Sequence, residues 1–153
     1  MKNARTAFSF VELLILVIFV GVLAMISVPR INLGVIDKQR VETAAHKLMT
    51  DLRRTRRLAI SDAAANPDGY GLVLKGAGPY SGYEIWNRKG PTRVDALQFD
   101  SCIACTADGR NFNFGPTGSL LTGGGTTIRL TSRGRSFVVT VIPATGMVKC
   151  AEQ

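Results

Sequence analysis

A chain of 153 residues has room for one folded domain beside one membrane-length segment, and none for a second domain. Its 19 basic against 11 acidic side chains give a formal charge of +8, a balance that permits contact with nucleic acid or anionic lipid without demonstrating either. The ingredients of an enzyme are missing: there is one histidine, no serine or cysteine nucleophile motif and no paired-carboxylate signature, and the stretches GAG (76–78) and GGG (123–125) lack the strand-and-helix context of a phosphate loop.

The first element is Phe8–Pro29, FSFVELLILVIFVGVLAMISVP. It is long enough to reach across a bilayer, since about 20 apolar residues match the hydrocarbon core. Lys2 and Arg5 precede it, so the positive-inside bias leaves residues 1–7 in the cytoplasm and carries everything after Pro29 outside. A secretory signal is the competing reading; it requires a small-residue cleavage site after the apolar run, and Ala24 and Ser27 stand near that end. Glu12 argues against release, because a cleaved signal has no use for an acid at the start of its apolar run. An acidic group at the centre of a membrane helix costs about 2.5–3.5 kcal/mol on insertion scales and usually has a function and a partner. The alternative is that Glu12 merely snorkels to the headgroups.

Residues 30–65 read as an amphipathic helix, with Val41, Ala45, Leu48, Leu52, Thr55 and Ala59 recurring at three- and four-residue steps along one face. The pattern runs to about Ala64 and is ended by Asn66-Pro67-Asp68-Gly69. Continuous with the apolar span, the helix would extend about 85 Å, with a bend or local melting around Pro29–Gly34. Arg53, Arg54, Arg56 and Arg57 are expected on a solvated face, paired with Asp51 or Asp62 at helical spacing, and His46 on the helix surface or at a domain interface.

Residues 66–153 read as short antiparallel strands separated by Gly, Pro and Asn: YGLVL, YEIW, ALQF, NFNF, TTIRLT, SFVVTVI and MVKC. Ser132-Arg133-Gly134-Arg135 makes a hairpin turn and Pro143-Ala144-Thr145-Gly146 a second, so the last three strands form a meander against the helix. The fold class is therefore α+β: a long N-terminal helix, half transmembrane and half amphipathic, packed on a C-terminal antiparallel β-sheet domain. Cys102, Cys105 and Cys150 all follow the anchor, where an oxidising periplasm favours disulfides. One pair and one leftover thiol is the simplest arrangement; Cys150 with Cys102 or Cys105 would pin the terminus, whereas Cys102–Cys105 closes only a small loop. Two cysteines of CIAC and His46 fall short of the four ligands of a structural zinc site, so no metal is expected, and no other cofactor is implied.

The order of basic leader, small residue, Phe8, Glu12 four positions on, and a long apolar run ending in Pro29 resembles the type IV pilin-like family. That resemblance implies a prepilin peptidase that cuts between Ala7 and Phe8 and methylates the new amine of Phe8. Ala7 stands where the family usually has glycine. Glu12 becomes the fifth mature residue and Pro29 falls where the family's helix often kinks. The segment then serves as an inner-membrane anchor, in contact with lipid, and later as filament core, with the C-terminal domain in the periplasm. An amine on Phe8 and a carboxylate on Glu12 are each costly in apolar surroundings and neutralise much of that cost in contact. Glu12 is accordingly expected to meet the Phe8 amine of a neighbouring subunit and set the register of assembly.

The series FNFGPTG, GGGTTIRL, a Gly-Arg turn, FVVTV and PATGMV, with Leu48, Leu52 and Arg56-Arg57 on the helix, resembles the GspH/FimT branch, minor pilins and pseudopilins that prime or cap type IV pili or type II secretion pseudopili. Its implied partners are other pilin or pseudopilin subunits, an inner-membrane assembly platform and an ATPase. A major pilin is a lesser alternative. Some FimT-like members capture DNA for uptake, with a GRxR signature that aligns with Gly146-Met147-Val148-Lys149; this chain lacks both arginines and has only a lysine at the last position. Arg53, Arg54, Arg56, Arg57, Arg129, Arg133, Arg135 and Lys149 are the remaining candidates for DNA contact, provided they share one face.

Overall fold

A computed structural model describes residues 9–27 and 33–153 of the chain. Helix α1 is Phe10–Ser27, and α2, Leu33–Ser61, begins the domain. Strands follow as β1 (Tyr70–Lys75), β2 (Gly82–Asn87), β3 (Thr92–Gln98), β4 (Ala104–Ala107), β5 (Asn111–Phe114), β6 (Thr127–Ser132), β7 (Arg135–Ile142) and β8 (Met147–Glu152). Helix α1 belongs to one structural unit and Gly34–Gln153 forms another.

In the second unit α2 is held by the stripe read from the sequence: Val41, Ala45, Leu48, Leu52, Thr55 and Ala59 are all completely buried. Burying each of the larger members contributes about 1.5–3 kcal/mol. Thr55 is polar, and its hydroxyl is satisfied within the helix by donating to the Asp51 carbonyl at 2.7 Å. The helix starts at Leu33 and includes Gly34, which does not melt it. It ends at Ser61, three residues before the expected stop, because Asp62–Ala65 tighten into turns before Asn66. The expected bend at Pro29 lies outside the described residues.

The strands form two four-stranded antiparallel sheets, ordered β3-β2-β1-β5 and β4-β6-β7-β8. The first is registered through Leu72, opposite Ile85 on one side and Phe112 on the other. The second contains the expected meander: Ser132 pairs with Arg135 around the two-residue turn Arg133-Gly134, and Ile142 pairs with Met147 at the next return. Strand β4 had no clear alternating pattern in the sequence. It sits at the edge of the second sheet, Cys105 opposite Leu130, and the chain then returns to the first sheet as β5. The two sheets and α2 share one core, in which Leu48 and Leu52 join Leu72, Ile85, Phe112, Ile128, Leu130 and Val139.

Candidate functional site

Helix α1 begins with Ser9 as its cap, the Ser9 carbonyl accepting from the amides of Glu12 at 3.0 Å and Leu13 at 3.2 Å. Glu12 therefore occupies the first turn, where a negative charge interacts favourably with the helix dipole. Beyond it the helix has no polar face, and its large side chains range from 47% exposed at Leu14 to 81% at Met25. No helix among the described residues is long and apolar enough to cross a membrane. The 18 residues of α1 give about 27 Å of helix, just under the hydrocarbon thickness of about 30 Å. Ala7, Phe8 and Pro29 lie outside the described residues, so the expectations for processing and kinking concern positions beyond them.

The basic residues do not share one face. Arg54 leaves the others to pair with Asp95 on β3 at 2.7 Å, and the guanidinium holds that carboxyl below the usual carboxylate range. On the β6–β7 hairpin, Arg133 pairs with Asp37 at 2.6 Å, and Arg135 bridges Glu42 and Glu152. Arg129 reaches only the Ser136 hydroxyl, at 3.3 Å, and Lys149 stands exposed on β8. The expected pairing of the helix arginines with Asp51 or Asp62 does not occur. Asp51 is buried, accepting from the Tyr83 hydroxyl and pairing with Lys47; Asp62 accepts from the Tyr70 hydroxyl. Both acids turn toward the sheets because a buried tyrosine hydroxyl there requires an acceptor.

Three of the arginines do converge. Arg53, Arg56 and Arg57 line a cleft of about 360 Å³ between the end of α2 and the start of β8. Arg53 Nη2 donates to the Val148 carbonyl at 3.0 Å and Arg56 Nε to the Gly118 carbonyl at 3.1 Å. Their i, i+3, i+4 spacing is the sequence signal that separates them from Arg54. The opposite wall could not be read locally, because residues 146–148 reach it only through the sheet.

The expected disulfide is not formed: Cys102, Cys105 and Cys150 are free thiols. Cys105 and Cys150 lie on the two edge strands of the same sheet, with β6 and β7 between them. Three strand spacings amount to about 14 Å, beyond the 7 Å or so at which two Cα atoms can be bridged. Burial pushes the Cys105 thiol up to about 12 and raises that of Cys150. Cys105 thus serves as a small apolar side chain of the core.

No protein-family model and no curated protein sequence matches the chain. Its fold is nevertheless similar to that of the type IV minor pilin FimU of Pseudomonas aeruginosa in two crystal forms. One superposition has a TM-score of 0.58 at 14% identity, covering 72% of this chain and 91% of FimU. The other has a TM-score of 0.58 at 13% identity, covering 74% and 90%. The chain has an α+β, type IV pilin-like fold, with α2 packed on antiparallel sheets.

Proposed function

We propose that a chain with this fold is a minor subunit of a type IV pilus, held in the inner membrane by the segment around α1 and later packed through that segment into the filament. The observation that carries the reading is α1 itself, apolar on every side and ahead of a domain folded like a minor pilin. A helix with no polar face requires lipid or other helices around it. In this reading a prepilin peptidase cuts between Ala7 and Phe8 and methylates Phe8, and Glu12 pairs with the Phe8 amine of a neighbouring subunit. The domain, in the periplasm before assembly, supplies lateral or tip contacts that prime or cap the filament, and an inner-membrane platform and ATPase drive assembly. Separation of Arg54, Arg133 and Arg135 into ion pairs favours this structural role over direct capture of DNA, which requires charges on a common track. A type II secretion pseudopilus would use the same parts.

The test is a strain lacking the gene, scored side by side for surface pili and secreted exoproteins. Loss of pili with secretion intact is the expected result. Loss of secretion with pili intact would assign the chain to a pseudopilus, and a strain that keeps both pili and secretion would overturn the filament role. Complementation with Glu12→Ala is expected to fail, and normal assembly by that variant would remove the register role of Glu12.

A further inference from the structure

The cleft at the end of α2 is built around cations held in place. Arg56 lies in a slot between Gly118 and Gly146: a side chain on Gly146 would place its Cβ 3.0 Å from Arg56 Nε, and one on Gly118 3.2 Å. With Nε committed to the Gly118 carbonyl and Arg53 Nη2 to Val148, each guanidinium is fixed by one bond of the five it can donate. Arg57 is exposed and lines the same cleft. No carboxylate is among the lining residues. An apolar shoulder adjoins the charges, with Ile60 43% and Met147 50% exposed.

We infer that this cleft is a docking site for an acidic protein segment, in which a carboxylate enters between Arg53, Arg56 and Arg57 and an adjoining apolar side chain covers Met147 and Ile60. Guanidinium groups bind carboxylates through paired, charge-assisted hydrogen bonds. Arg and Met side by side, one supplying charge and the other adaptable apolar area, are characteristic of protein interfaces. Groups already immobilised lose little freedom on binding. A nucleic acid fits less well: the charges face into a concave cleft, and Arg54, Arg133 and Arg135, which could have extended a phosphate track, are paired elsewhere. Identification of the segment's owner as a neighbouring filament subunit rests on the proposed function; the chemistry of the cleft does not.

The full chain in detergent micelles is titrated, at low salt, with a labelled peptide alternating glutamate and leucine, and separately with a short labelled DNA duplex. The peptide is expected to bind, and Arg57→Glu to weaken it by about tenfold or more. Arg129→Glu, the same charge change on an exposed strand residue outside the cleft, is expected to leave binding within about twofold. If Arg57→Glu does not fold by circular dichroism, Arg57→Gln takes its place with the same expected direction. No peptide binding, equal losses in the Arg57 and Arg129 variants, or a duplex that binds more tightly than the peptide through Arg57 would each overturn the proposal. Because the readout is binding by the isolated chain, its failure is distinguishable from that of the filament reading, which the deletion strain decides.

Discussion

The Tyr83 hydroxyl on β2 donates a hydrogen bond of 2.6 Å to Asp51 Oδ2 on α2, and both residues are buried. The other carboxylate oxygen lies 3.1 Å from Lys47 Nζ, one helical turn away. The pair joins the helix to the first sheet at the centre of the core, and it makes a buried carboxylate tolerable by giving each oxygen a donor.

Tyr83→Phe keeps the ring and its packing on Phe99, 5.6 Å between centroids, but removes the donor to Asp51. The expected cost is about 1–3 kcal/mol of unfolding free energy, the desolvation penalty of an acceptor left without its partner. The denaturant midpoint of the full chain in detergent measures it, and an unchanged midpoint would show that the bond contributes nothing net.

Stability should fall under alkaline conditions in two stages. Burial moves the Cys105 thiol from 9.0 up to about 12. Because this folded-state value is raised, the contribution is complete below about pH 9 and is lost as pH rises toward 12. Cys150 is raised by burial too, and Tyr83 is raised above 10.0 by burial and then by its bond to Asp51, so the tyrosine's contribution declines only above about pH 10. Thermal midpoints measured from pH 8 upward should therefore decline from about pH 9, and Cys105→Ala should flatten the part between pH 9 and 10. A slope unaffected by that variant would contradict the assignment.

Gly146→Ala is expected to be costly. Gly146 has a φ of +62°, and an added Cβ would lie 1.9 Å from the Gly118 carbonyl oxygen. The loss should exceed about 1 kcal/mol, read as a lowered thermal midpoint. The same variant should weaken the acidic peptide, since it crowds the slot of Arg56. Gly90→Ala, with nothing within 4 Å of the added atom, should stay within about 0.5 kcal/mol of the parent.

Thiol titration distinguishes this fold from one with a disulfide. Denatured without reductant, the chain should expose all three cysteines as thiols. In the folded chain Cys102, half-buried, should alkylate before Cys105, which is buried and whose thiol is raised. Fewer than three thiols would mean that the chain forms a disulfide, contrary to the three free thiols of this structure.

Local periodicity determined a great deal. The α2 stripe from Val41 to Ala59 was legible because a helix places residues three and four apart on one side whatever it packs against, and all six members are buried. The β6–β7–β8 meander was legible because consecutive strands joined by short turns pair with each other. The apolar character of α1 beyond Glu12 needed no structure at all. What lay beyond reach depends on distance along the chain. Strand β4 carries a single fully buried side chain, Cys105, too little to make a pattern, and becomes a strand only by pairing with β6 more than twenty residues later. The cysteines could be counted but not paired, because strand order decides which edges meet. The arginines could be named, but their use was set by partners far away in sequence: Asp95 takes Arg54, and Gly118 and Val148 take Arg56 and Arg53. Periodicity is a property of neighbours, whereas a charge is satisfied by whatever the folded core brings within hydrogen-bonding distance.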